Sequence, residues 1–519
     1  MRKVEIMDTT LRDGEQTSGV AFSASEKLSI ARKLLEEVRV DRIEIASARV
    51  SKGEFECVKA VCQWAQKNGR LDQIEVLGFC DNGASIDWIK RAGGKVINLL
   101  TKGSEKHCRG QLGKEPQEHW EDVRRNVMLA HEFDLRVNIY LEDWSNGMID
   151  TPEYVLGMVD ALSDLATQGF VQRIMLPDTL GILSPGRTRD LITQMVERYP
   201  NLHFDFHAHN DYDLAVANVL AAATAGVKGV HATINGLGER AGNASLSSIV
   251  AVLNDMAPQV ELGIDEHAIN QISRLVESYS GIATASNTPI VGENVFTQTA
   301  GVHADGDKKG KLYVNPLLPE RFGRSREYAL GKMSGKANIE QNLKLLGMHL
   351  SDEDMRRVTK RINEMGDKKE QITIDDLPYI ISDVLHHDTP TERIRLLSYM
   401  VSTAYGLHPQ ACVKLEINGR EYEESATGDG MYDAFVRAVR HIYRDKLGRK
   451  FPWLANYVVT IPPGGRTDAL VQTTISWEFQ GKTYRTRGLD ADQTEAAIKA
   501  TIKLLNIIET PPDLPQGEE

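Results

Sequence analysis

Apolar residues recur along the first half of the chain in two alternating rhythms: short runs of strand character, and longer stretches whose apolar positions fall at helical spacing. The short runs are 4–8, 42–46, 74–79, 96–100, 136–142, 173–179, 203–209 and 229–235, and the amphipathic stretches between them include 26–35, 117–133, 152–165 and 185–199. Eight strands alternating with helices over about 250 residues is the count for an α/β protein of the (β/α)8 TIM-barrel type, with a doubly wound open sheet as the alternative. Strand parity then assigns faces. In the seventh run His203, Asp205, His207 and His209 point one way and Phe204, Phe206 and Ala208 the other. The phenylalanines belong against the helix layer, so the histidines face the barrel axis. The same alternation sends Glu75 and Leu77 inward on the third strand, Asn98 and Leu100 on the fourth, and Asn138, Tyr140 and Glu142 on the fifth.

Past residue 287 the pattern loosens. The stretch 292–310 is rich in glycine and charge without sustained periodicity and reads as a functional loop or small subdomain. Helical patterns return at 339–345, 352–365 and 378–385, and 386–392 reads as a linker. The last hundred-odd residues repeat themselves: E-I-N-G-R-E-Y at 416–422 matches E-F-Q-G-K-T-Y at 478–484, and each copy runs on into a helical pattern, 432–442 and 494–504. The expected division is a catalytic barrel over 1–286, helical linker subdomains over 287–390, an α+β pseudo-repeat domain over 391–510 and a tail over 511–519. The repeat domain suits dimerisation or ligand-dependent regulation.

Composition narrows the function by exclusion. A net charge of -12 without a run of Lys or Arg argues against nucleic-acid binding as the main activity. No stretch of about 18 apolar residues occurs, and the N-terminus enters a strand directly, so a cytoplasmic protein without membrane contact is expected. Five cysteines without C-x-x-C spacing suggest reduced thiols rather than a disulfide framework or a thiolate zinc site.

In a barrel of this type the functional groups sit at the C-terminal ends of the strands. That rim collects Arg12 and Asp13, Tyr140 to Glu142, Pro177 to Thr179, His207 to Asn210, and the run N-G-L-G-E-R-A-G-N at 235–243. His207 and His209 on one inward face, with Asp13 from a neighbouring strand of the closed barrel, make a three-ligand set open to substrate oxygens. Such a set suits Mg, Mn or Zn acting as a Lewis acid.

Three motifs in order, L-R-D-G-E-Q at 11–16, H-A-H-N-D-Y-D-L-A-V-A-N at 207–218 and N-G-L-G-E-R-A-G-N at 235–243, resemble the alpha-isopropylmalate, homocitrate and citramalate synthase family. The resemblance continues through the repeat domain. The stretches 41–54, 140–147 and 296–310 look most like its citramalate synthase branch. It implies a Claisen-type condensation of acetyl-CoA with a 2-oxo acid, followed by thioester hydrolysis. It also implies a metal held by Asp13, His207 and His209 with Asn243 at or near it, and Arg12 on the carbonyl. Thr179 would meet the substrate carboxylate, and Glu142 would position the acetyl group or a water, or merely orient Arg12. His303 would be the enolising base, with Asp305 and Tyr313 as companions. A homodimer is implied, in which the linker of one chain covers the barrel of its partner, as is feedback by a branched-chain amino acid, isoleucine if the product feeds that pathway. The expected oxo acid is pyruvate, because Leu77, Leu100 and Tyr140 face the site without a cation among them, giving (R)-citramalate in a threonine-independent route to isoleucine. The alternatives are 2-oxoisovalerate, 2-oxoglutarate or oxaloacetate as substrate, and a non-catalytic amino-acid sensor.

Overall fold

The computed structural model describes residues 1–298, 312, 314–346, 348–367, 372, 374, 377–385, 393–460 and 471–509. They divide into two units, one of Met1–Phe296 with Val314–Arg326 and one of the remaining described residues.

The first unit is a closed parallel barrel of eight strands: β1 Glu5–Asp8, β2 Arg42–Ser47, β3 Ile74–Phe79, β4 Val96–Lys102, β5 Arg136–Glu142, β6 Val171–Asp178, β7 Phe204–Ala208 and β8 Gly229–Ala232. Closure is made by β1 against β8, with Glu5 opposite Gly229 and Asp8 opposite Ala232. All eight expected strands are present. The fourth continues two residues further than its apolar run and the eighth stops three residues earlier, at Ala232, where the chain turns into a short 3-10 helix, Ile234–Gly236. Helices form where periodicity and caps agree. Ala24–Lys33, for example, starts with a full capping box between Ser23 and Glu26, and Pro152–Thr167 and Pro185–Arg198 place proline in the first turn, where no N–H is needed.

Two cores result. Outward-facing strand residues such as Ile43, Val76, Leu99, Ile139, Phe204 and Phe206 pack under the helices, and a smaller cluster of Met7, Leu77, Tyr140 and Met175, with Leu100 against it, lies apart from them. This second cluster comes from the inward set that parity assigns. The remaining inward positions are polar and fully paired in places: Arg42 bonds Glu5 (3.1 Å), Glu75 (2.8 Å) and Asp205, while Asn138 donates to Asn98 and Asn98 to Glu44. Such a filling is tolerated because each buried charge finds its opposite.

The second unit holds a two-stranded parallel pair, Thr297–Gln298 with Glu327–Tyr328, that no periodicity announces. Its helices Lys336–Leu345, Asp352–Asp367 and Leu377–Leu385 match the expected ones. The repeat is realised twice as three antiparallel strands and a helix: β9 Ile394–Ser402, β10 Gln410–Ile417 and β11 Arg420–Thr427 with Met431–His441, then β12 Trp453–Thr460, β13 Val471–Phe479 and β14 Lys482–Asp490 with Gln493–Glu509. Both copies carry a register shift at the same place in the first strand, Leu396/Ser398 and Leu454/Asn456. Both close their hairpin with two left-handed residues, Asn418-Gly419 and Gln480-Gly481, which is the turn whose twist matches the strands. Among the described residues no helix is long and apolar enough to cross a membrane, and no cysteine is in a disulfide.

Candidate metal and substrate site

The turn after β1 presents Arg12 and Asp13. The backbone N–H groups of Arg12, Asp13 and Gly14 all point at the Thr9 carbonyl, so the chain coils tightly as the strand ends. Lys27, 1% exposed, locks that coil from beneath. Its Nζ donates to the carbonyls of Leu11 (3.1 Å) and Ile45 (3.2 Å) and pairs with Glu15 (2.7 Å) and Glu54. A buried lysine between two carboxylates and two carbonyls has its donors satisfied, so the loop before the site is held by charge as well as by packing.

Asp13, His207 and His209 converge, all buried, with one possible ligand atom of each within 4.8 Å of the others. His207 Nε2 lies 3.2 Å from Asp13 Oδ2 and 3.3 Å from His209 Nε2. Burial by itself raises the Asp13 carboxyl, but Arg12 first, then the two histidines, more than reverse it and hold the group well below the usual carboxylate range. Burial lowers His207 against the pull of Asp13, and burial plus the neighbouring His207 bring His209 down to about 4. An ionised carboxylate beside two neutral imidazoles is the protonation state that metal ligands require. Asn243 is joined to His209 by an isolated antiparallel bridge; its Nδ2 donates to Leu237 and its buried Oδ1 has no hydrogen-bond partner among the described residues. Two imidazole nitrogens, a carboxylate and an orphaned amide oxygen are a fitting donor set for a divalent ion of the Mg, Mn or Zn kind.

Arg12 is held by a carboxylate that the sequence reading passed over. Its Nε donates to Glu44 at 2.6 Å, its Nη1 lies 3.5 Å from Asp13 and its Nη2 reaches the Tyr140 hydroxyl at 3.4 Å. Glu142, considered above as the group that orients Arg12, is instead paired with Lys102 at the end of β4. Parity turns both partners inward without pairing them: Glu44 stands two residues beyond the inward Arg42, and Lys102 two beyond Leu100. Ending the fourth strand at residue 100 hid Lys102. The Thr179 hydroxyl accepts from the Asp143 N–H at 2.9 Å and keeps its own hydrogen to donate. Leu77, Leu100 and Tyr140 belong to one cluster with Met7 and Met175, and the Tyr140 ring stands edge-on to His207 with centroids 6.3 Å apart. Thus Arg12, Asp13, Tyr140, His207 and His209 come together, with Asn243 alongside. His303, Asp305 and Tyr313 lie outside the described residues.

Comparison with known proteins follows the same division of the chain. Residues 3–276 match the family model described as HMGL-like, 290–370 the homocitrate synthase post-HMGL domain-like model, and 371–509 the LeuA allosteric (dimerisation) domain. A protein of Methanopyrus kandleri named "Probable 2-isopropylmalate synthase" is 35% identical over 97% of this chain and 98% of its own length. In Methanocaldococcus jannaschii, an (R)-citramalate synthase is 32% identical over 97% of this chain and 99% of its own, and a 2-isopropylmalate synthase 34% identical over 98% and 95%. Similarity at this level, spanning barrel, linker and repeat alike, together with the histidine and aspartate cluster at the barrel rim, means that the chain belongs to the HMGL-like family, in its 2-isopropylmalate, homocitrate and citramalate synthase group.

Proposed function

We propose that the protein condenses acetyl-CoA with pyruvate and hydrolyses the resulting thioester, releasing (R)-citramalate and free CoA. The observation that carries this reading is the wall of Leu77, Leu100 and Tyr140 beside the Asp13, His207 and His209 cluster. A 2-oxo acid held by its keto and carboxylate oxygens must direct its remaining substituent at some wall, and this one is apolar. A dicarboxylate would bury its second charge there at a cost of several kcal/mol. Lys102, the nearest inward cation beyond Leu100, is already engaged by Glu142.

A bound divalent ion supplies Lewis-acid polarisation of the oxo acid's oxygens. The chain's own groups do the rest. Arg12, kept cationic and aimed by Glu44, donates to the carbonyl oxygen as it gains negative charge. The Thr179 hydroxyl donates to the substrate carboxylate, and Glu142, steadied by Lys102, positions the acetyl group or the hydrolytic water. His303, by resemblance, removes the methyl proton of the thioester, with Asp305 and Tyr313 beside it. The match of 371–509 to an allosteric dimerisation domain supports a homodimer and an amino-acid effector.

Two experiments test this. With acetyl-CoA and a panel of 2-oxo acids, thiol release is expected to be fastest with pyruvate, exceeding 2-oxoisovalerate by roughly 10- to 200-fold, the worth of overfilling an apolar pocket. In the Leu100→Ala, Tyr140→Ser double variant the ratio moves toward the branched acid. The competing reading, a 2-isopropylmalate synthase, is favoured by the near-equal identity to both kinds of relative. A wild-type enzyme that prefers 2-oxoisovalerate selects that reading. Separately, millimolar isoleucine is expected to reduce turnover of the intact enzyme by about 5-fold or more, the usual size of an allosteric coupling; indifference to both isoleucine and leucine removes the regulatory assignment.

A further inference from the structure

His231 is fully buried inside the barrel, on β8, and belongs to neither the metal cluster nor the substrate wall. Its Nδ1 lies 3.2 Å from the Tyr140 hydroxyl and its Nε2 3.3 Å from Asp205 Oδ2. Asp205 in turn accepts from Arg42, which also holds Glu75 and Glu5. Gly229, opening the same strand, makes this arrangement possible, because a Cβ there would collide with the Asp205 carboxylate.

The directions of these bonds follow from the groups at the two ends. Burial raises the Asp205 carboxyl, but Arg42 reverses that and holds it well below the usual range, so it is an acceptor only. His231 Nε2 therefore carries the hydrogen it gives to Asp205. The Tyr140 hydroxyl already receives from Arg12, so its own hydrogen turns to Nδ1, the remaining nitrogen of the ring, and among the described residues no other group is placed to donate there. At the far end Arg12 Nη2, which has no acceptor function, donates to the lone pairs of the same hydroxyl. The chain of bonds is polarised throughout: Arg12 to Tyr140, Tyr140 to His231, His231 to Asp205.

Resting on the proposed reading of the site, we infer that His231 is a positioning residue that sets substrate choice by consuming the one hydrogen Tyr140 has to donate. With its hydroxyl hydrogen turned away, Tyr140 offers the oxo acid a ring edge and no donor. A substituent bearing oxygen finds nothing to bond there, whereas a methyl group needs nothing. The tyrosine then behaves toward substrate as an apolar wall even though it is not a phenylalanine, and the hydroxyl serves Arg12 instead.

The test is a double-mutant cycle read in steady-state kinetics with whichever oxo acid the wild-type enzyme accepts best, so that a wrong choice of pyruvate does not obscure the result. His231→Leu, similar in bulk but without either bond, is expected to lower kcat/KM about tenfold, the worth of one hydrogen bond, mainly through KM. It should also raise the relative rate with oxaloacetate, as the freed hydroxyl becomes a donor. In the Tyr140→Phe background the same substitution should change kcat/KM less than about twofold. His231→Asn, which retains an acceptor close to the position of Nδ1, should restore part of the loss, and it carries the same comparison if His231→Leu does not fold. Equal losses in both backgrounds, or an unchanged ratio of oxaloacetate to the preferred acid, would overturn the inference and leave His231 as packing alone.

Discussion

Asp13→Asn is expected to reduce turnover by about 10³-fold or more and to abolish stoichiometric binding of a divalent ion by calorimetry. The magnitude follows from what such an ion contributes, several kcal/mol of charge stabilisation at the reacting oxygens, with each 1.4 kcal/mol worth tenfold. Asp13 is the member of the set with formal charge, and Arg12 at 3.5 Å holds it in the ionised form. An amide in its place keeps the shape and loses the charge. Chelation of the wild-type enzyme should reproduce the loss, and readdition of the ion should reverse it in the wild type but not in the variant. Full activity after chelation, or an Asp13→Asn enzyme that still binds one ion and turns over, would show that the three converging side chains are not the ligand set.

Arg42→Met is expected to lower the unfolding free energy by about 3–5 kcal/mol, read as a lower urea midpoint for the barrel. Arg42 is 4% exposed and satisfies Glu5, Glu75 and Asp205 at once, so its removal leaves the buried Glu75 without an ion-pair partner among the described residues and Asp205 with the imidazoles of His203 and His231 alone, while Glu5 keeps Arg173. Methionine fills much of the same volume, which separates the electrostatic loss from a cavity. The pH dependence supplies a second readout. The folded Asp205 carboxyl is held below its unfolded range, so its contribution is complete above the ordinary carboxylate pKa of about 4 and is lost as pH falls below that value. The difference between wild type and variant should therefore be widest near neutrality and shrink in acid. A midpoint unchanged at pH 7 would mean that water or rearrangement compensates the lost cation.

Much of the site was legible because its residues lie at strand ends and alternate strictly. Parity alone brought His207 and His209 to one face, and barrel closure put Asp13 next to them, where they are found. Leu77, Leu100 and Tyr140 were grouped for the same reason and do share one cluster. The repeat was legible as two copies that each run into a helix, but the three antiparallel strands of each copy and the left-handed hairpin turns at Asn418-Gly419 and Gln480-Gly481 came only with the structure. What escaped were pairings between side chains. Glu142 was considered as the group orienting Arg12, whereas Arg12 pairs with Glu44, which no sequence pattern singled out, and Glu142 with Lys102.

The order of strands and helices, the inward set, the tandem repeat and the family were thus determined by the sequence alone, because periodicity, capping and turn chemistry act over a few residues. The partner of each buried charge was decided only by the tertiary structure. Glu44 rather than Glu142 meets Arg12, Lys102 takes Glu142, and His231 joins Tyr140 to Asp205, all between residues 26 to 91 positions apart. Those contacts depend on the stagger with which eight strands close, and on how deep along the axis each long side chain comes to rest. No local pattern encodes either quantity, and the burial that raises the energetic stake of every such pair exists only once the barrel has shut.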